Sequence, residues 1–284
     1  MIGYNIDMKP SKISSKGNYE MTNETREKLA ASLTAETTEL IPFLPYLLQD
    51  FWEIGSEPSI MIGLLKEYAD LPKDAKVLDL ACGKGAVSVK MAHQLGFQIK
   101  GIDIIPDFVK FALEKADEYN VGHLCEFGVG EINEAVMVER DYDVVILGAV
   151  GNVLGDPAET LQKLKSTIKV GGYILIDECY LPDDGSQDDV QYKNYEFLSQ
   201  SQWANLFKDS GLILVKAITG DDLAVIENPD SKVGMAHITK RAKELISKHP
   251  EKKPIFEGYI NSQQAEYDDL DNNLAPVVWL LRKM

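Results

Sequence analysis

Between residues 77 and 85 the chain reads Val-Leu-Asp-Leu-Ala-Cys-Gly-Lys-Gly, an apolar run broken by an acid and ending in two glycines one residue apart. Glycines at 83 and 85 allow a sharp strand-to-helix turn whose backbone N–H groups stay open to a polar ligand at the N-terminus of the next helix. Asp79 stands just ahead of the turn, and Asp103 comes 24 residues after Asp79, near the end of a second apolar run, Lys-Gly-Ile-Asp-Ile. A carboxylate at a strand end can accept two hydrogen bonds from a ribose diol, so this spacing points to a nucleoside ligand. A lone Gly-x-Gly turn is an ordinary connection. Asp79, Asp103 and Glu131, each near the C-terminal end of an expected strand, place polar groups along the edge where open parallel sheets bind ligands.

Such positions need a parallel sheet to hold them. From Ala75 onward short Val/Ile/Leu-rich runs alternate with amphipathic stretches, the pattern of strands buried on both faces and flanked by helices. Strands are expected at 76–81, 98–104, 123–128, 142–148, 172–178, 212–218 and 276–282. Gly96 closes the helix that follows the glycine turn, Pro106 opens the next, and Pro157 with Asp156 as cap opens a third. After the sixth strand the alternation stops. Residues 220–274 hold a helix over 231–248 and then a polar, acidic stretch, so the last strand, reached without a βα crossover, is expected to run antiparallel. The fold expected is α/β: a Rossmann-like, doubly wound, mostly parallel seven-stranded sheet with an antiparallel last strand and an N-terminal helical cover. Residues 1–70 form the arm (1–20, polar) and the cover, which Pro42 and Pro45 interrupt; residues 71–284 form the core, with a lid-like insertion at 220–274.

Composition narrows the function. With 284 residues, 45% hydrophobic and 26% charged, the chain can bury a sizeable core, which excludes a disordered or fibrous protein. A formal charge of −16 repels nucleic-acid phosphates and anionic lipid, so no DNA or membrane partner is expected. Cys82, Cys125 and Cys179 are odd in number and lack metal-ligand spacing, which fits isolated thiols in a reducing compartment. No apolar run approaches the ~20 residues of a membrane span, and the first residues lack a signal-peptide core. A cytoplasmic protein without a metal site is expected.

Asp79-Leu80-Ala81-Cys82-Gly83-Lys84-Gly85 resembles the first motif of the class I S-adenosylmethionine-dependent methyltransferases, and the likeness extends from about Ala75 to the C-terminus. The resemblance implies that the loop at Ala81–Gly85 wraps the methionine part of S-adenosyl-L-methionine, that Asp103 holds the ribose hydroxyls, and that Ile104 packs on the adenine. Glu131 takes the place of the family's usual Asp facing the adenine amino group, with Ile132 beside it. Gly148-Ala149-Val150-Gly151-Asn152 resembles the small-residue turn that passes under the sulfonium. Ala81 stands where glycine is commoner, which a negative φ would tolerate. No Asn/Asp-Pro-Pro-Tyr/Phe follows the fourth strand, and no Pro-Cys nucleophile is present, so methylation of DNA bases by such sites is unsupported.

The function expected is methyl transfer to a small-molecule acceptor by in-line displacement, with S-adenosyl-L-homocysteine as product; positioning and exclusion of water supply much of the rate, and no catalytic residue is assigned. Asp177, Glu178, Tyr180, Tyr195 and His237 are the candidates for contact with the acceptor, weighed against solvated strand ends, lid packing and a surface histidine. Lys84 is expected in solvent, and the acidic runs 182–189 and 266–273 as solvated loops. Three alternatives stand beside this reading: an RNA or protein methyltransferase, a module that binds S-adenosylmethionine without turnover, and an NAD-dependent oxidoreductase. The last draws on the 20-residue spacing from Gly83 to Asp103 but lacks the third glycine, Ser88 standing in its place. The oligomeric state and the atom methylated stay open.

Overall fold

The computed structural model describes residues 21–193, 195–220 and 231–284; the expected arm at 1–20 and the first part of the insertion lie outside them. Seven strands, β1 (Lys76–Leu80), β2 (Gln98–Asp103), β3 (Cys125–Val129), β4 (Tyr142–Gly148), β5 (Ile168–Tyr180), β6 (Leu212–Thr219) and β7 (Ala275–Lys283), form one sheet in the order β3-β2-β1-β4-β5-β7-β6. The first five run parallel, and β7 lies antiparallel between β5 and β6, as the missing crossover requires. From β1 the chain builds outward to β2 and β3, then returns to add β4 on the other side. The crevice at the C-terminal ends of β1 and β4 is therefore the topological switch point of the sheet.

Alternation along the strands divides the interior. Val77, Val144 and Leu175 face one layer, built from α3 (Pro58–Tyr68), α4 (Ala86–Leu95) and α5 (Pro106–Glu118). Leu78, Leu80, Val145 and Ile174 face the other, built from α6 (Ile132–Val138), α7 (Pro157–Thr167) and α8 (Gln200–Asp209). The punctuation works as its chemistry requires: Gly96 ends α4 at φ 73°, Pro106 and Pro157 open α5 and α7, and the Asp156 side chain accepts from Glu159 N–H.

A third core lies above the sheet edge. The cover consists of α1 (Asn23–Ser32), a 3-10 turn (Thr38–Phe43) and α2 (Leu44–Leu47); the insertion contributes α9 (Ser231–Lys248) and α10 (Lys253–Asn272). Leu29, Leu40, Leu44 and Leu47 of the cover pack with Ile238, Leu245, Phe256 and Tyr259 of the insertion. Cover and insertion thus share one apolar cluster.

The acidic run 266–273 departs from expectation. It forms the last turns of α10, and Asp269 is fully buried, accepting from Gln191 and Tyr192 N–H and from Asn273 Nδ2 at 2.7–3.0 Å. Half-buried Glu266 accepts from Thr34 Oγ1 at 2.5 Å and Gln263 Nε2 at 3.1 Å. These carboxylates fasten the insertion to the loop before α8 and to the end of α1, and the hydrogen bonds offset the cost of burying their charge. Around 182–189, by contrast, Asp183, Asp184, Asp188 and Asp189 are exposed, as expected.

Candidate cofactor site

At the switch point a cavity of about 1000 Å³, open to solvent, runs between the sheet edge and the cover. Asp79, Ala81, Gly83, Asp103, Ile104, Glu131, Ile132, Gly148 and Ala149 line it. Of the ten positions expected to hold cofactor only Gly85 does not. Gly85 serves packing instead: at φ +72° it begins α4, and a Cβ there would stand 2.7 Å from Ala112 Cβ on α5.

The glycine turn and the second acid are joined directly. Gly83 N–H donates to Asp103 Oδ2 at 2.8 Å, and Ile105 N–H donates to Oδ1 at 2.9 Å. Each oxygen retains a second lone pair for a ligand hydroxyl. Burial pushes the Asp103 carboxyl up to about 6, against the pull of these backbone donors. Asp79, accepting from Ser88 Oγ at 2.6 Å, is pushed up to about 7 by burial and by the Asp103 charge nearby. Gly83 has φ +53°, and a Cβ there would meet no atom within 4 Å, so the backbone faces open space.

Ala81 corrects the expected backbone. Its φ is +57°, and Ala149 has φ +53°, so two alanines adopt the left-handed conformation that glycine tolerates far better. Both line the cavity, at the ends of β1 and β4, where surrounding contacts over-determine the backbone. Ala149 N–H donates to the Asp177 carbonyl at 3.1 Å, which pins the loop after β4 to the end of β5. Glu131 caps α6, its Oε1 accepting from Asn133 N–H at 2.9 Å and Nδ2 at 2.8 Å.

The acceptor candidates divide. None of Asp177, Glu178, Tyr180, Tyr195 and His237 lines the main cavity. Glu178 and Tyr195 line a smaller cavity of about 280 Å³ with Gly151 and Asn152, across the loop that follows β4. The Tyr195 ring lies where a Cβ on Gly151 would come within 2.6 Å. Asp177, beside Glu178 at the end of β5, is pushed up to about 6, and Glu178 to about 7, by burial. Tyr180 stacks on Trp279 at 6.5 Å between ring centroids. His237 stays apart in the insertion, 3.8 Å from Asp50 and against Phe51.

Sequence reasoning missed four contributors. Ser56 is buried on the cavity wall, its Oγ 2.3 Å from where a Cβ on Gly148 would stand, which explains the small residue there. Leu29 and Ser32 of α1 also line the cavity, a placement that no local pattern announces. Lys84, expected in solvent, is 4% exposed because backbone carbonyls of the cover receive its ammonium. Among the described residues no group of His, Cys, Asp and Glu could hold a metal ion, and no helix is long and apolar enough to cross a membrane.

Four carboxyls with raised pKa, two buried and two half-buried, make stability depend on pH. Asp79, Asp103, Asp177 and Glu178 bind protons more tightly folded than unfolded, so their contribution is present at low pH and lost as pH rises through about 6 to 7. The ligand-free protein is expected to melt at a lower temperature at about pH 8 than at about pH 5.5, and Asp79→Asn to flatten that dependence. Thermal unfolding across this window checks it; equal slopes for the two proteins would show Asp79 already ionised at no cost.

Residues 71–229 match a family model described as a methyltransferase domain. Phosphoethanolamine N-methyltransferase 1 of Triticum aestivum is 27% identical over 173 residues, covering 57% of this chain and 34% of that protein. The chain spans about a third of the length of the first curated relatives it matches. In fold it is similar to a SAM-dependent methyltransferase from Geobacter sulfurreducens solved with S-adenosyl-L-homocysteine, with TM-score 0.68, 19% identity and coverage of 86% of this chain and 98% of that one. The [4+2]-cyclase SpnF is similar too, with TM-score 0.67, 14% identity and coverage of 92% and 97%. The family match spans more than half of the chain and begins just ahead of β1, and with it the chain belongs to the methyltransferase-domain family, the class I S-adenosylmethionine-dependent methyltransferases.

Proposed function

We propose that this protein transfers the methyl group of S-adenosyl-L-methionine to a small-molecule acceptor that carries no negative charge. The observation that carries the reading is the Gly83 N–H to Asp103 hydrogen bond at 2.8 Å, which puts an open glycine backbone and a diol-binding carboxylate on one cavity wall. The cavity suits the cofactor: Ile104 and Ile132 offer apolar faces for a purine, and Asp103 has acceptor capacity left. The sulfonium supplies an electrophilic methyl and leaves as the thioether of S-adenosyl-L-homocysteine.

What the chain does is hold and exclude. Asp103 orients the ribose, Gly83 leaves room for the methionine part beside Asp79, and Glu131 faces the adenine edge. Gly148 and Ala149 form the floor under the reacting carbon. The cover, through Trp52, Ile54 and Ser56, forms one wall and limits the access of water to the site. Residues 71–284 form the catalytic core, with α3 of the preceding segment packed on its sheet; 21–54 and, within the core, 231–272 form a joint lid, a division that the start of the family match at residue 71 supports.

Asp177, Glu178, Tyr180 and Tyr195 are proposed to face the acceptor; His237, paired with Asp50, is assigned to the lid. Two half-buried carboxyls at the end of β5 disfavour a phosphorylated acceptor of the kind named for the wheat relative, and the net charge of −16 acts in the same direction. Methyl-label transfer to a panel of amines, thiols and hydroxyl compounds, each paired with its phosphorylated form, tests this. Transfer is expected to the unphosphorylated members by at least about tenfold, the scale of one like-charge contact. Preference for the phosphorylated forms would overturn the acceptor class, and cofactor binding without transfer to any member would favour a non-catalytic module.

A further inference from the structure

A lysine between two turn glycines ordinarily projects into water. Lys84 turns inward instead, and its Nζ donates to the carbonyl oxygens of Leu48 at 2.6 Å and Phe51 at 2.5 Å. These carbonyls belong to the turn just past the end of α2, where that of Leu48 also accepts from Phe51 N–H at 3.2 Å. The ammonium also lies 5.0 Å from the centroid of Phe111 and 5.7 Å from that of Phe108, both on α5. In the reverse direction, Trp52 Nε1 donates to the Lys84 carbonyl at 3.0 Å. One residue of the glycine loop is thus bonded three times to residues 48–52 of the cover. Immediately beyond those bonds come Ile54 and Ser56, which with Trp52 and Lys84 line the cofactor cavity.

We propose that Lys84 is a positioning residue that clasps the cover to the glycine loop, so that the cover wall is set by the same loop that holds the cofactor and the two are energetically coupled. The proposal rests on the cavity's being the S-adenosylmethionine site. Parting cover and loop takes the Lys84 ammonium from both its acceptors and the Phe51 carbonyl from its donor, so the clasp favours the arrangement in which both are placed. Coupling of this kind is reciprocal: a ligand that rigidifies the loop protects the cover, and loss of the clasp weakens the ligand.

Burial lowers the Lys84 pKa to about 8, while Asp50 opposes the fall; Asp50 is itself bonded to Arg241 of α9 at 2.6 Å. Deprotonation is therefore not the release. A neutral amine still donates to two carbonyls, so the test removes the donors themselves and not the charge alone.

Lys84→Met keeps length and apolar stem but offers no donor. It is expected to raise the Kd for S-adenosyl-L-homocysteine about 10- to 100-fold, the scale of lost charge-assisted hydrogen bonds, and to speed amide exchange over residues 48–56 in the ligand-free protein. Trp52→Phe, which removes only the return bond, is expected to give a smaller effect of the same kind, about 2- to 10-fold, and the double variant less than the product of the two. Wild-type protein is expected to show slower exchange at 48–56 when S-adenosyl-L-homocysteine is added. Kd within twofold of wild type and unchanged exchange in Lys84→Met would overturn the clasp. If Lys84→Met does not fold, Trp52→Phe with unchanged Kd and unchanged exchange overturns it equally. Should wild type itself bind no S-adenosyl-L-homocysteine, the cofactor reading fails, and exchange over 48–56 in the ligand-free variants still decides whether the clasp holds the cover.

Discussion

Asp103→Ala is expected to raise the dissociation constant for S-adenosyl-L-homocysteine by about 100- to 10,000-fold, the loss of two charge-assisted hydrogen bonds at ~1.5–3 kcal/mol each. Two effects combine in it. The proposed ribose partner disappears, and Gly83 and Ile105 N–H, held at 2.8 and 2.9 Å, lose their acceptor, so the glycine turn and the start of α5 lose the group that spaces them. Asp103→Asn keeps one carbonyl oxygen and is expected to cost about tenfold in affinity. Calorimetry on the three proteins separates the cases. Because burial holds the Asp103 carboxyl at about 6 in the free protein, wild-type affinity is also expected to weaken as pH falls through that value, since the carboxylate is the better diol acceptor. Alanine and asparagine variants that bind as wild type would remove Asp103 from the site.

Gly85→Ala is expected to lower the melting temperature by about 5–15 °C, against about 2–4 °C for Gly96→Ala, at ~2–4 °C per kcal/mol for a chain of this size. The pair isolates packing from backbone strain. Gly85 has φ +72° and Gly96 φ +73°, so a methyl group meets the same left-handed penalty of ~1 kcal/mol at either. Only at 85 does the new Cβ reach a fixed neighbour: Ala112 Cβ at 2.7 Å and Ala112 Cα at 3.3 Å, on a helix packed against the sheet. At 96 nothing lies within 4 Å. Overpacking of this kind adds ~1–3 kcal/mol. Equal melting temperatures for the two variants would show that α4 and α5 can separate freely, and Gly85 would then matter only for its φ.

The sheet and its ligand edge could be read from the residues because their signals are local. Strand runs, capping by Asp156, helix ends at Gly96 and the missing crossover before β7 each depend on a few neighbouring side chains, and the structure reproduces them. Nine of the ten positions expected at the cofactor line one cavity for the same reason: strand ends in a doubly wound sheet meet at the switch point whatever covers them.

The cover, the insertion and Lys84 follow a different logic. Tyr46 donates to Glu244 at 2.5 Å across 198 residues of chain, Asp269 receives Gln191 and Tyr192, and Lys84 finds Leu48 and Phe51. A charged residue reads as exposed unless its partners are known, and here the partners are distant backbone carbonyls and N–H groups that carry no residue-type signature. Left-handed Ala81 and Ala149 belong to the same class, since the sign of φ for an alanine in a tight loop is imposed by what packs around it. Periodicity and turn chemistry dictate where strands stop and which edge binds; burial of charge and the joining of two distant helical segments depend on contacts that exist only once the chain has closed on itself.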